Sequence, residues 1–164
     1  FKKTLKEEPK IIINLQGDMP NIEPKAITDL VSYMNKEQCD IGTLASTFNS
    51  QKEKENPNVV KVALKGKISP NVFSNAIDFF RINTNSTDNI YHHIGIYAFT
   101  NKALIRYVGL KRSKLELERK LEQLRALENN MSIHVGYIKS SPLSVDTEED
   151  LKEVANLMRK NEKN

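Results

Sequence analysis

Two aspartates stand where a carboxylate could do chemistry. Asp18 lies in the turn Gln16-Gly17-Asp18-Met19-Pro20, directly after a β-branched run that ends at Leu15. In open α/β sheets, ligands bind beyond the carboxyl ends of strands. A carboxylate there, beside a glycine that permits close approach, suits a hard cation such as magnesium. An ordinary strand-exit turn accommodates the same aspartate. Asp146 lies in Val145-Asp146-Thr147-Glu148-Glu149-Asp150-Leu151, just ahead of the last helix-like stretch. Glu148, Glu149 and Asp150 suit the positive end of that helix and need no other role. Asp146 precedes the cap and is free to face a cleft. Two carboxylates from separate strand ends could share a divalent ion with a substrate phosphate.

The remaining reactive side chains say less. His92 and His93 open a strand, where alternation sends them to opposite faces, so they do not form a metal pair. His134 is mid-strand and reads as structural. Cys39 borders a strand and reads as a small core residue. A lone cysteine excludes an intrachain disulfide and any multi-cysteine metal site. No G-x-G-x-x-G or G-x-x-x-x-G-K loop is present among the six scattered glycines.

The elements that must position these groups alternate between strand and helix periods. Lys10 to Leu15 reads as a strand. Pro24 opens a helix with Ile27, Leu30, Val31 and Met34 on one stripe. Ile41 to Phe48 and Val59 to Leu64 read as strands joined by a polar loop, Asn49 to Pro57. Ala76 to Arg81 is a short strand and Ile82 to Asn89 a loop. His93 to Phe99 is a strand, followed by a short helix over Lys102 to Val108. Ser113 and Glu116 form a capping box opening a longer helix, with Leu117, Leu121 and Leu124 on one face and its end at Asn129-Asn130. Met131 to Ile138 is a strand, and Thr147 caps a last helix carrying Leu151, Val154 and Leu157. The pattern predicts one α/β domain over residues 1–164, with a mixed, mostly parallel sheet flanked by helices.

Composition bounds the function. The chain has 164 residues, 25 basic and 21 acidic, hence a net charge of +4 and a pI near 9.1. Interleaved charges such as Lys52-Glu53-Lys54-Glu55 form a solvated face, and the densest basic group (Lys111, Arg112, Lys114) sits at a helix start, whereas a nucleic-acid footprint needs basic residues gathered on one surface with stacking aromatics. No nucleic-acid partner is expected. No apolar run approaches a membrane span, so no membrane partner is expected and the default location is cytoplasmic.

Five separated segments resemble one family, the CMP-Kdo synthetases (3-deoxy-manno-octulosonate cytidylyltransferases). Asn14-Leu15-Gln16-Gly17-Asp18-Met19-Pro20 is similar to its N-V-Q-G-D-E-P, and Asn56-Pro57-Asn58-Val59-Val60-Lys61-Val62 to its N-P-N-x-V-K-V. His93-Ile94-Gly95-Ile96-Tyr97 resembles H-x-G-I-Y, Leu121 to Leu127 resembles L-E-Q-L-R-x-L, and Val145 to Leu151 resembles V-D-T-P-E-D-L. Five weak motifs in one order make a strong resemblance. It implies a nucleotide-diphospho-sugar transferase-like fold and transfer of CMP from CTP to the anomeric hydroxyl of Kdo. Pyrophosphate is released, and the product feeds lipopolysaccharide biosynthesis. It also implies a homodimer, with Mg2+ held by Asp18 and Asp146. Gln16, His93, Tyr97, Glu122 and Gln123 match sugar-pocket positions. Arg81, laid on the arginine of A-L-Y-F-S-R, matches a partner for the Kdo carboxylate, for which a guanidinium fork is suited.

The chain departs from the family at Met19 (usually Glu), Lys114 and Glu148 (usually Pro), and after Arg81, where I-P is missing. No stretch matches the family's A-R-x-x-S-T-R-L-P-x-K segment, which holds CTP. That mismatch, with an opening Phe1, reads as a family member lacking its N-terminal nucleotide-holding part. The alternatives are a CMP-sialate-type cytidylyltransferase and a non-catalytic sugar-binding remnant of the fold.

Overall fold

Three consecutive isoleucines set the first strand. In the computed structural model, which describes residues 8–82, 88–145 and 147–161, β1 spans Ile11–Asn14. Pro24 then starts α1 (Pro24–Lys36), its fixed φ suited to a first turn that needs no N–H. Leu30 and Met34, four residues apart, are the buried side chains of α1. They press onto β2 (Ile41–Ser46), whose six residues are all buried. A Cβ on Gly42 would stand 2.7 Å from the Met34 sulfur and 2.8 Å from a Leu30 methyl, so the missing side chain sets how closely α1 approaches the sheet.

Asn49 to Pro57 is not all loop. Gln51–Glu55 forms the short helix α2, whose first turn is capped by Ser50 Oγ accepting from Glu53 N–H at 3.1 Å. The Ser-x-x-Glu spacing is the capping-box signal, present in the sequence, although here Glu53 Oε2 accepts from the Asn49 N–H instead of that of Ser50. β3 (Lys61–Leu64), β4 (Ser74–Phe80) and the eleven-residue β5 (Ile90–Thr100) follow. Then come α3 (Asn101–Gly109), α4 (Lys114–Arg119), α5 (Gln123–Glu128), β6 (Ile133–Tyr137) and α6 (Glu148–Asn161).

The expected single helix from Ser113 to Asn129 is two. Lys120 adopts the left-handed conformation (φ 55°, ψ 46°), and its N–H and that of Leu121 both turn back to the Glu116 carbonyl. This is a helix-ending device usually built on glycine. The break separates Leu117, which is exposed, from Leu121 and Leu124, which are buried. They therefore do not share one stripe.

The strand order is β1-β5-β2-β6-β4-β3, with β3 also pairing the start of β5. The sheet is mixed and helix-flanked, as expected, but it is not mostly parallel. Among the described residues β2–β6 is parallel and the other pairings are antiparallel. Connection length explains this. A parallel neighbour needs a crossover of about a dozen residues or more, and the link between β3 and β4, which pair antiparallel, is shorter. β1 and β2 do run the same way, joined across α1, but β5 is inserted between them and runs against both.

Each sheet face is covered. Leu30, Met34, Cys39, Leu44, Ile94, Ile96 and Ala98 form one core under α1. Ile41, Ala45, Phe79, Phe99, Leu121, Leu124, Ile133 and Val135 belong to the other, under α3 to α5. Cys39 is thus a core residue, and burial pushes its thiol up to about 11, which keeps it protonated and inert. His134 is tied to α1 by a 2.7 Å hydrogen bond between its Nδ1 and the Tyr33 hydroxyl. Among the described residues no helix is long and apolar enough to cross a membrane.

Candidate active site

The register between β2 and β5 slips at one point. Thr43 faces Tyr97 but Leu44 faces Ile94, so β5 carries two extra residues, Gly95 and Ile96. Bulges of this kind re-aim side chains and recur beside active sites. Gln16 and Met19, from the turn after β1, lie over the bulge: a Cβ on Gly95 would meet the Met19 methyl at 3.6 Å and Gln16 Oε1 at 3.7 Å. The side chains of His93 and Tyr97 flank it, with ring centroids 5.5 Å apart.

A cleft of about 960 Å³ opens over this region. Its wall includes Gln16 and Asp18 from the β1–α1 turn, Arg81 from the end of β4, His93 and Tyr97 from β5, and Glu122 and Gln123 at the start of α5. These seven positions, drawn from four parts of the chain, meet at one site. Asp146 lies outside the described residues. Its neighbour Val145 donates its N–H to the Asp18 carbonyl at 2.8 Å, which ties that stretch of chain to the Asp18 turn.

Asp18 Oδ1 is buried and has no hydrogen-bond partner among the described residues. A buried carboxylate oxygen without a donor costs free energy unless a cation or ligand satisfies it. Among the described residues no three His, Cys, Asp or Glu side chains gather as a protein-only metal cage would require. Magnesium does not need one: it binds through one or two carboxylates, with water and substrate phosphates completing its shell. The Asp18 carboxylate fits that pattern.

The rest of the wall is held by hydrogen bonds from both sides. Lys61, 1% exposed, donates from Nζ to the carbonyls of Asn56 (2.5 Å) and Arg81 (2.6 Å), and burial lowers its pKa. Arg81 Nη1 in turn donates to the Asn58 carbonyl at 2.8 Å. On the opposite side, Glu116 is buried and accepts from Arg125 through Nε (2.8 Å) and Nη2 (2.5 Å). The Arg125 bonds hold its carboxyl down at about 2. Arg125 also lies 4.9 Å over the Tyr107 ring, and Tyr107 donates its hydroxyl to the Glu122 carbonyl at 3.1 Å. This chain of contacts sets where Glu122 and Gln123 enter the cleft.

The two neighbouring histidines take different partners, as strand alternation requires, yet part of each reaches the cleft. His92 Nδ1 lies 2.6 Å from Glu53 Oε1, while burial lowers its pKa against the pull of that carboxylate. His93 Nε2 lies 3.0 Å from Thr43 Oγ1. Burial, with His92 beside it, pushes His93 down to about 3, so the ring is neutral at ordinary pH. Burial pushes the Tyr97 hydroxyl up, so it stays protonated. The expectations did not include Glu53, Tyr107 or Lys120 in this wall. The Ser50-x-x-Glu53 spacing was the readable signal for the first. Nothing local marks the other two, whose places depend on the helix break.

Comparison with known proteins identifies relatives of this chain. A family model described as cytidylyltransferase matches residues 1–133. The 3-deoxy-manno-octulosonate cytidylyltransferase of Bartonella henselae is 42% identical over 149 residues, 90% of this chain and 60% of that protein. The Rhizobium meliloti protein of the same name is 45% identical, over 88% of this chain and 57% of its own length. The chain therefore spans about three-fifths of the length of these relatives. Among solved structures, a CMP:2-keto-3-deoxy-manno-octonic acid synthetase complexed with CTP superposes with a TM-score of 0.83 at 30% identity, over 95% of this chain and 64% of that one. An apo UDP-glucose pyrophosphorylase shares the fold, with a TM-score of 0.64 at 15% identity, over 93% of this chain and 55% of its own.

Proposed function

This chain belongs to the cytidylyltransferase family, and from that premise we propose that it carries the sugar-acid and cation sites of a 3-deoxy-manno-octulosonate (Kdo) cytidylyltransferase. The observation that carries the reading is the convergence of Gln16, Asp18, Arg81, His93, Tyr97, Glu122 and Gln123 on one cleft. In the reaction, the anomeric hydroxyl of Kdo attacks the α-phosphorus of CTP. The new P–O bond forms as the bond to pyrophosphate breaks, and the hydroxyl proton is lost. The product, CMP-Kdo, serves lipopolysaccharide biosynthesis.

The chain's own residues would bind and orient the acceptor. Arg81 spends Nη1 on Asn58, and its guanidinium edge suits the Kdo carboxylate. Gln16, over the β5 bulge, and Gln123, at the start of α5, supply amide donors and acceptors for sugar hydroxyls. Glu122 accepts from a hydroxyl, and Tyr97, held protonated by burial, donates to an oxygen. Asp18, with Asp146, would hold Mg2+, which when bound neutralises phosphate charge and favours pyrophosphate departure. The CTP base and phosphates belong, by the resemblance, to a segment that no stretch of these residues matches. The same reading includes a homodimer and a cytoplasmic location.

The test is product analysis of this chain joined to the family's CTP-holding segment, with CTP, Mg2+ and Kdo, and in parallel with a sialic acid. Formation of CMP-Kdo with equimolar pyrophosphate is expected. CMP-sialate without CMP-Kdo overturns the sugar assignment, and Kdo binding without CTP binding selects a non-catalytic role for this chain.

A further inference from the structure

Thr43, in the middle of β2, is fully buried and makes three close polar contacts. Its Oγ1 lies 2.7 Å from the Ile96 carbonyl, 3.1 Å from the Ile94 carbonyl and 3.0 Å from His93 Nε2. The first two exist because the bulge in β5 brings both carbonyls to one side chain of the neighbouring strand. A hydroxyl has one proton, and a carbonyl only accepts. Giving that proton to the imidazole would leave two oxygens 2.7 Å apart with no hydrogen between them. The proton therefore goes to the carbonyls, and His93 Nε2 must be the donor to Oγ1.

We propose that Thr43 is a positioning residue: its buried hydroxyl locks His93 in the Nε2–H tautomer and leaves Nδ1 as the acceptor that the cleft offers to a substrate hydroxyl. The ring plane is held as well, by the edge of Phe79 at 5.0 Å and by Tyr97 at 5.5 Å between centroids. Nδ1 has no protein partner among the described residues, and the 7% of His93 that stays exposed lies in the cleft wall. Burial keeps the ring uncharged, so it answers a hydroxyl donor and offers nothing to a carboxylate or phosphate. The β5 side of the cleft then reads the polyol portion of a sugar acid, while Arg81 takes the carboxylate. The substrate half of this inference rests on the sugar-acid reading above; the tautomer half does not.

The two halves separate in one experiment. Long-range 1H–15N correlation spectra of the protein with labelled histidine, recorded at pH 7, report which ring nitrogen of His93 carries the proton. The wild type and Thr43→Ser are expected to show a single neutral Nε2–H form, and Thr43→Val a mixture of tautomers. An Nδ1–H or doubly protonated His93 in the wild type overturns the proposal, as does an unchanged tautomer in Thr43→Val. If the valine variant fails to fold, the wild-type and serine spectra decide. Kdo is then added to the wild type. Movement of the His93 Nδ1 resonance with Nε2 nearly fixed is expected. Movement of Tyr97 and Gln123 signals with Nδ1 unmoved overturns the acceptor role. No change anywhere in the cleft overturns the sugar-acid reading of this chain, with the tautomer result standing on its own.

Discussion

At Asp18 a single side chain carries a cost that a ligand relieves: one of its carboxylate oxygens is buried without a donor among the described residues. Replacing it by asparagine removes a cation ligand and keeps the shape. We expect Asp18→Asn to fold with an unchanged or slightly higher urea midpoint while losing divalent-cation binding, read by Mn2+-induced broadening of neighbouring NMR signals. The affinity loss should exceed the about 10–100-fold that removal of a merely supporting partner costs. Equal Mn2+ broadening in the variant and the wild type would sink the cation assignment. Asp18 was legible in the sequence because it follows a glycine at a strand exit, and Gln16 through the family resemblance of the same turn. Thr43 was not: a threonine in a strand is unremarkable until a bulge in the neighbouring strand delivers two carbonyls and a histidine to it. Tyr107 was hidden for a similar reason, since a helix rotates it toward Glu122 only once α5 has been turned by the break at Lys120.

The elements themselves were mostly visible, and their relations were not. Pro24 with the Ile27–Leu30–Val31–Met34 stripe was enough to find α1, and β-branched runs found most of the strands. Sheet order is a matter of which edges remain open, which no local pattern encodes. So the short β3–β4 link made antiparallel neighbours, and β5 paired antiparallel with β1, β2 and β3, where a mostly parallel sheet was expected. The α4–α5 break was missed because its left-handed residue is a lysine. That conformation costs an L-residue about 1–2 kcal/mol, part of which glycine gives back through its flexible unfolded chain. Lys120→Gly should therefore raise stability by about 0.5–1 kcal/mol in urea titration; a loss of stability would show that the lysine makes contacts worth more than the strain. At the α1–β2 contact the sign reverses. A methyl on Gly42 has nowhere to go between Leu30 and Met34, and Gly42→Ala should cost about 1–3 kcal/mol as α1 is pushed from the sheet. A neutral result would mean that α1 docks less tightly than 2.7 Å implies.

Over the whole molecule, burial of imidazoles makes folding stability depend on pH. His93, His92 and His134 all titrate below the ordinary histidine value of 6.5, with burial the leading cause in each. The unfolded chain therefore takes up protons below pH 6.5 that the folded chain refuses. Stability is fully present above that value and falls as pH drops toward the folded value, about 3 for His93. For His93 alone the loss at pH 5 is about 2 kcal/mol. A second stage starts lower. Glu116, near 2 when paired with Arg125 against 4.5 unpaired, contributes stability that is complete above 4.5 and is lost as pH falls toward 2. The urea midpoint should thus decline between pH 7 and 5, before the Glu116 stage begins, and then more steeply below 4.5. His93→Asn separates the stages: it lowers stability at pH 7 by removing the bond to Thr43, but flattens the decline between pH 7 and 5. A variant that keeps the full wild-type slope in that window would show that His93 is not the group whose burial drives it. In the folded protein the same neutral ring stands in the cleft wall, so the slope and the site are two readings of one buried side chain.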